Sequence, residues 1–232
     1  MSKIEKKIIA IGGVGVSPES DKELDNFIIN HSKKMKNNIG FLGTASKDDK
    51  EKINKFYKRF ENTSSELSHF NLTSNIDGFR EWLLSKDIVY VGGGNTFYML
   101  EIWKKNNLEQ VFKKGYEKGL ILSGVSAGAV CWFDWILSDS MGRGFEPLKG
   151  INLVEGSCTP HSDNIERINE FGFNIKNNKL PKGVAIDDGV AVVFIDGKPT
   201  EVYSTVKNHN AYFLDKNIKI NLKEYIKNIW TI

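Results

Sequence analysis

The chain has 232 residues, of which 40% are hydrophobic and 26% charged, with a net charge of +3. These values fit a globular protein and exclude a disordered chain, which would carry fewer apolar residues and more net charge. The basic residues are scattered among acids, and no apolar run nears the roughly 20 residues that cross a bilayer, so neither nucleic acid nor membrane is an expected partner.

Short apolar runs alternate with helical periodicity along the chain. Residues 7–11, 39–43, 66–70, 87–91 and 120–124 are apolar and bounded by turn residues. They read as strands of a parallel sheet buried on both faces. Ser20 and Glu23 form a capping box, after which Leu24, Phe27, Ile28 and Met35 fall on one helical face. Ile53, Phe56, Tyr57 and Phe60 repeat with helical spacing after Asp48 and Asp49, which suit a helix start. Further helices are expected near 76–85, 95–105, 109–118 and 163–177. In the last, Ile165, Ile168, Phe171 or Gly172, and Ile175 form the inward stripe. Beyond about residue 183 the strands crowd together as a terminal antiparallel extension. The expectation is one α/β domain over residues 1–232, a three-layer α/β/α sandwich with a mostly parallel sheet.

In such folds ligands bind at the carboxyl ends of the strands. Three glycine-rich junctions fall there: Gly12-Gly13-Val14-Gly15, Gly92-Gly93-Gly94-Asn95 and Gly124-Val125-Ser126-Ala127-Gly128. The third has the form G-x-S-x-G between an apolar strand and the apolar run AVCWFDWIL, read here as a buried helix. A serine on such a turn holds its hydroxyl above the sheet, so Ser126 is the candidate nucleophile. The helix N-terminus behind it would stabilise an oxyanion, with the Ala127 N–H as one donor. The alternative is that Ser126 is only a helix cap.

A serine nucleophile needs a base. Of the four histidines, His31 and His69 read as packing residues. His161 sits at a strand end in SCTPHSDN and is favoured over His209. The acid that orients the base is Asp188, Asp139 or Asp187, each of which also suits a turn. The second junction lacks the lysine of a Walker-type loop. It is read instead as the source of a second oxyanion donor from Gly93 or Gly94, with Asn95 capping a helix or holding substrate. The first junction fails the dinucleotide fingerprint. The two cysteines, Cys131 and Cys158, have no metal-ligand spacing and fit a reduced, cytoplasmic protein. No long apolar stretch follows MSKIEKKIIA, so no signal peptide is expected.

The segments VGGGNTFYML, GVSAGAV, PHSDN and AIDDGVAVVF, in that order, resemble the dipeptidase E (aspartyl dipeptidase) and cyanophycinase-like family of serine peptidases. The resemblance spans about residues 7–215. It implies the flavodoxin-like fold shared with class I glutamine amidotransferases. It implies Ser126 as nucleophile, His161 as base, Asp188 or Asp139 as the third member, and Gly94 and Asn95 in the segment that supplies the oxyanion donor and substrate contacts. The family's arginine-rich stretch after the histidine, which recognises an aspartyl side chain, is reduced here to Arg167. Asp163, beside the base, would favour a cationic group such as a peptide amine.

The leading expectation is a cytoplasmic serine peptidase for small peptides, working through an acyl-enzyme with no metal or organic cofactor. A homodimer stays open. Two rivals also stay open: an α/β-hydrolase-type esterase using Ser126, Asp188 and His209, and a non-catalytic binding protein on the same scaffold.

Overall fold

The computed structural model describes residues 4–229; residues 1–3 and 230–232 of the expected single domain lie outside the described residues. The five early strands form where predicted: β1 (Lys7–Ile11), β2 (Asn38–Leu42), β3 (Glu66–Phe70), β4 (Ile88–Val91) and β5 (Ile121–Val125), but β3 lies at the sheet edge and is not buried on both faces. Between and beside them run α1 (Pro18–Asn30), α2 (Lys50–Phe60), α3 (Phe79–Leu84), α4 (Thr96–Lys105) and α5 (Glu109–Glu117). The chain then turns through α6 (Ala127–Val130) into β6 (Phe133–Ser138), β7 (Glu146–Lys149) and β8 (Val154–Thr159). Helix α7 (Ile165–Lys176) leads to β9 (Gly183–Ile186), β10 (Val190–Ile195), β11 (Lys198–Ser204), β12 (Ala211–Asp215), β13 (Ile218–Asn221) and α8 (Leu222–Ile229).

The α/β sandwich is borne out, but its strands divide into two sheets. The first has the order β11-β10-β1-β5-β4-β2-β3 and the second β13-β12-β9-β8-β6-β7. Strands β1 to β5 are mutually parallel where they pair, as are β6, β8 and β9. The antiparallel extension predicted after residue 183 is shared out: β10 and β11 widen the first sheet, β12 and β13 the second.

Side-chain alternation along each strand fills separate layers. Ile9 and Ile11 of β1 pack with Leu24 and Ile28 of α1 and with Ile53, Phe56 and Phe60 of α2. Ile8 and Ala10 face the other way, into a core shared by α3 to α6 and one face of the second sheet. The outer face of that sheet is covered by Ile168, Phe171 and Ile175 of α7. Each buried aromatic or branched side chain contributes about 1.5–3 kcal/mol relative to exposure, so these stripes hold the layers in register.

Three local expectations are corrected. Helix α1 starts earlier than the capping box implies: Ser17 is the cap, its Oγ accepting from Ser20 N at 3.1 Å, and Pro18 opens the helix. Proline there needs no N–H partner and its φ is already helical. Ser20 is buried inside the helix, while Met35 lies beyond its end and is 96% exposed. In α7 the inward aromatic is Phe171, and Ile165 is exposed. The apolar run after Ser126 is not one helix, because it breaks after Val130 and continues as β6. A short apolar run with Phe, Trp and Ile suits a buried strand equally well. Trp132 and Phe133 are core residues.

Candidate active site

The site lies at the seam between the two sheets. Ser126 follows β5 of the first sheet, whereas His161 and Asp188 follow β8 and β9 of the second. A single parallel bridge between Gly13, just past β1, and Asp188 stitches the sheets together at this point. All of these positions are carboxyl ends of parallel strands, where the architecture leaves a crevice.

Ser126 has φ 55° and ψ −115°. A left-handed backbone at a non-glycine residue costs of order 1–3 kcal/mol and persists only where its surroundings enforce it. Here its N–H donates to Ile11 O at 3.0 Å and its carbonyl accepts from Ala129 and Val130. The two flanking glycines are needed because the turn presses on β4. A Cβ on Gly124 would lie 2.6 Å from Val91 O, and one on Gly128 would collide with the same oxygen. Helix α6 is too short for an appreciable macrodipole. Its contribution is its free N–H groups, that of Ala127 first among them.

His161 Nε2 lies 2.8 Å from Ser126 Oγ, and His161 Nδ1 lies 2.5 Å from Asp188 Oδ1. A carboxylate can only accept, so Nδ1 carries the hydrogen. Nε2 is then left to accept from the serine hydroxyl. His161 also has a left-handed backbone, φ 51°. Asp188 is itself held at both ends of its peptide unit. Its N–H donates to Asp163 Oδ1 at 3.0 Å, and its carbonyl accepts from His209 Nδ1 at 2.8 Å.

The structure thus separates the candidate acids. Asp188 is the one on His161. Asp187 is buried and binds Ser162 Oγ at 2.5 Å and Asn210 N at 2.9 Å, clasping two loops. Asp139 accepts from Arg167 Nη2 at 2.8 Å instead of meeting the base. Asp163 is exposed, and its Oδ1 accepts from the Asp188 N–H. His209 supports Asp188 and makes no bond to Ser126. His31 contacts Phe27 O and Glu201, and His69 accepts or donates with Tyr57 Oη, so both are packing residues as expected.

The second glycine junction lies beside the serine. A Cβ on Gly93 would be 3.2 Å from Ser126 Cβ, so the loop is in contact with the Ser126 side chain. Asn95 caps α4, its Oδ1 accepting from Tyr98 N at 2.8 Å, and its Nδ2 donates to Ser140 O at 2.9 Å. Both ends of its amide are therefore engaged within the protein. A cavity of about 250 Å³ opens over this centre, lined by Gly94, Thr96, Ser126, Val130, His161 and Pro160 on one side. Ile136, Leu137, Ser138, Asp139 and Arg167 close the other. The Arg167 guanidinium lies 4.6 Å from the Phe145 ring centre, which fixes it against the wall. Among the described residues, no group of three or more His, Cys, Asp or Glu is arranged to hold a metal ion.

Sequence reasoning set Gly13 aside as part of a failed dinucleotide fingerprint. Its actual role is spatial: a Cβ there would run into the Asp188 carboxylate. The only signal was the glycine pair at a strand end. The roles of Asp163 and His209 at the Asp188 backbone carried no signal at all.

The profile of Peptidase family S51 matches residues 8–202. The uncharacterized peptidase YgaJ of Bacillus subtilis (strain 168) is 37% identical over 213 residues, covering 89% of this chain and 91% of its own. The uncharacterized peptidase Lin0382 of Listeria innocua is 29% identical over 133 residues, 55% of this chain and 59% of its own. Among solved structures, a peptidase from an acI-B1 Actinobacterium superposes with a TM-score of 0.69 at 16% identity. That match covers 94% of this chain and 95% of the other, and it shows the shared fold. The match across 8–202 and the YgaJ relationship make this chain a member of peptidase family S51.

Proposed function

We propose that this enzyme is a cytoplasmic, dipeptidase E-like serine peptidase that hydrolyses small peptides through Ser126, His161 and Asp188. The observation that carries the reading is the continuous hydrogen-bonded line from Asp188 Oδ1 through His161 to Ser126 Oγ, at 2.5 and 2.8 Å. Ser126 Oγ attacks the scissile carbonyl while His161 Nε2 takes its proton. The imidazolium that forms is stabilised by Asp188, which also fixes the tautomer. The tetrahedral oxyanion is held by the N–H groups of Ala127 and Gly94. His161 returns the proton to the leaving amine, then activates the water that hydrolyses the acyl-enzyme.

Small peptides are favoured by the size of the cavity. At about 250 Å³ it falls below the roughly 300–1,000 Å³ typical of sites for drug-sized ligands. The Asp139–Arg167 pair puts both signs of charge on one wall, which suits a zwitterionic substrate.

The experiment is labelling with a fluorophosphonate followed by peptide mapping. The reading expects one adduct, on Ser126, that is absent from Ser126→Ala. An intact, folded protein that takes up no label would favour a binding protein on this scaffold.

A further inference from the structure

We infer that Lys52 is a positioning residue for the oxyanion hole, acting through the Gly93–Gly94 peptide. The inference rests on the proposed peptidase reading, and it adds a residue that lies outside the cavity lining.

Lys52 stands in the first turn of α2, where its N–H donates to the capping Asp49 at 3.0 Å. Its Nζ donates to the carbonyl oxygen of Gly93 at 3.0 Å. A trans peptide is planar, and its C=O and N–H point in opposite directions. A cation that fixes the Gly93 oxygen on the α2 side therefore fixes the Gly94 N–H on the opposite side. Gly94 lines the catalytic cavity with Ser126 and His161. The N–H is thereby turned toward the space where the oxyanion develops.

The peptide needs such a restraint. It joins two glycines, so rotation about both of its flanking bonds meets little steric resistance. Gly94 has φ 151°, and a Cβ there would strike Ala45 O. No larger residue could stiffen this position. The loop's backbone is anchored at its ends: Gly92 N donates to Leu42 O at 2.9 Å and Asn95 N to Ala45 O at 2.7 Å. Between these anchors the Gly93 carbonyl is the handle, and Lys52 holds it. The ammonium also polarises the peptide, which strengthens its N–H as a donor.

The test compares wild type, Lys52→Met and Lys52→Arg. Removing an oxyanion donor outright costs about 10²–10³ in kcat. Loosening one leaves it available part of the time, so Lys52→Met should lose about tenfold in kcat and in the rate of fluorophosphonate labelling. KM should stay within about twofold, since ground-state binding is untouched. The thermal midpoint should not move, because the side chain is exposed. Lys52→Arg should restore most of the rate. Wild-type rates in Lys52→Met would overturn the inference. So would a loss carried by KM, or a loss that Lys52→Arg does not recover. Failure of the peptidase reading is a separate result, because it would appear as absence of Ser126 labelling in the wild type.

Discussion

Gly13→Ala tests whether the seam between the sheets sets the catalytic geometry. A methyl at this position would overlap Asp188 Oδ1, the oxygen that meets His161, and lie 2.5 Å from Cγ. Favourable contact needs about 3.5–4.0 Å, so the carboxylate must withdraw by at least roughly 1 Å. Its 2.5 Å bond to His161 Nδ1 then stretches to about 3.5 Å, beyond useful hydrogen-bond range. Complete loss of the orienting acid in a serine triad costs about 10⁴ in kcat. Partial displacement should cost about 10², or roughly 2.7 kcal/mol at 1.36 kcal/mol per decade. The assay is steady-state hydrolysis by wild type, Gly13→Ala, Asp188→Ala and the double variant. With no carboxylate to displace, the methyl should cost almost nothing in the Asp188→Ala background. Full activity in Gly13→Ala would refute the reasoning, as would an equal loss in both backgrounds.

Replacing the two site histidines separately should give unequal results. His161→Ala should abolish turnover, while His209→Ala should retain measurable activity because its ring bonds the Asp188 carbonyl and not Ser126; the reverse order would restore the esterase arrangement. Asp25→Ala should lower stability by about 3 kcal/mol. It strands Arg59, which makes bonds of 2.6 and 2.8 Å to the nearly inaccessible carboxylate. For a chain of this size that is a fall of about 6–12 °C in a thermal melt, and a shift under about 2 °C would contradict the buried pair. Burial pushes the Cys131 and Cys158 thiols well above their ordinary pKa. Neither should react with a disulfide reagent at pH 8 until the protein unfolds, and rapid labelling of the native protein would contradict the packing around them.

Much of this architecture was readable in the residues, for physical reasons. Runs such as KIIAI and DIVYV announce strands because both faces of a parallel sheet must be apolar. The stripe Ile53, Phe56, Tyr57, Phe60 announces α2 because a helix buries one face. The division into two sheets was not readable, since a buried strand looks the same whichever sheet accepts it. The break after Val130 was hidden for a related reason: FDWIL has no period that separates strand from helix over so few residues. Ser126 and His161 were legible because each sits at a strand end beside turn residues. Asp188 could not be separated from Asp139 and Asp187 by type, since aspartate suits any turn. What separates them is contact: Arg167 takes Asp139, Ser162 and Asn210 take Asp187, and His161 is left to Asp188. Gly13 and Lys52 act across the fold on residues distant in the chain, so their local sequence carries no mark of what they do.

The central claim is that Ser126 carries peptide hydrolysis. Its most direct test is amino-acid release from a panel of dipeptides, Asp-Xaa included, by wild type and Ser126→Ala side by side. The account predicts release by the wild type and a loss of several orders of magnitude in a normally folded Ser126→Ala. Equal release by the two proteins would contradict it.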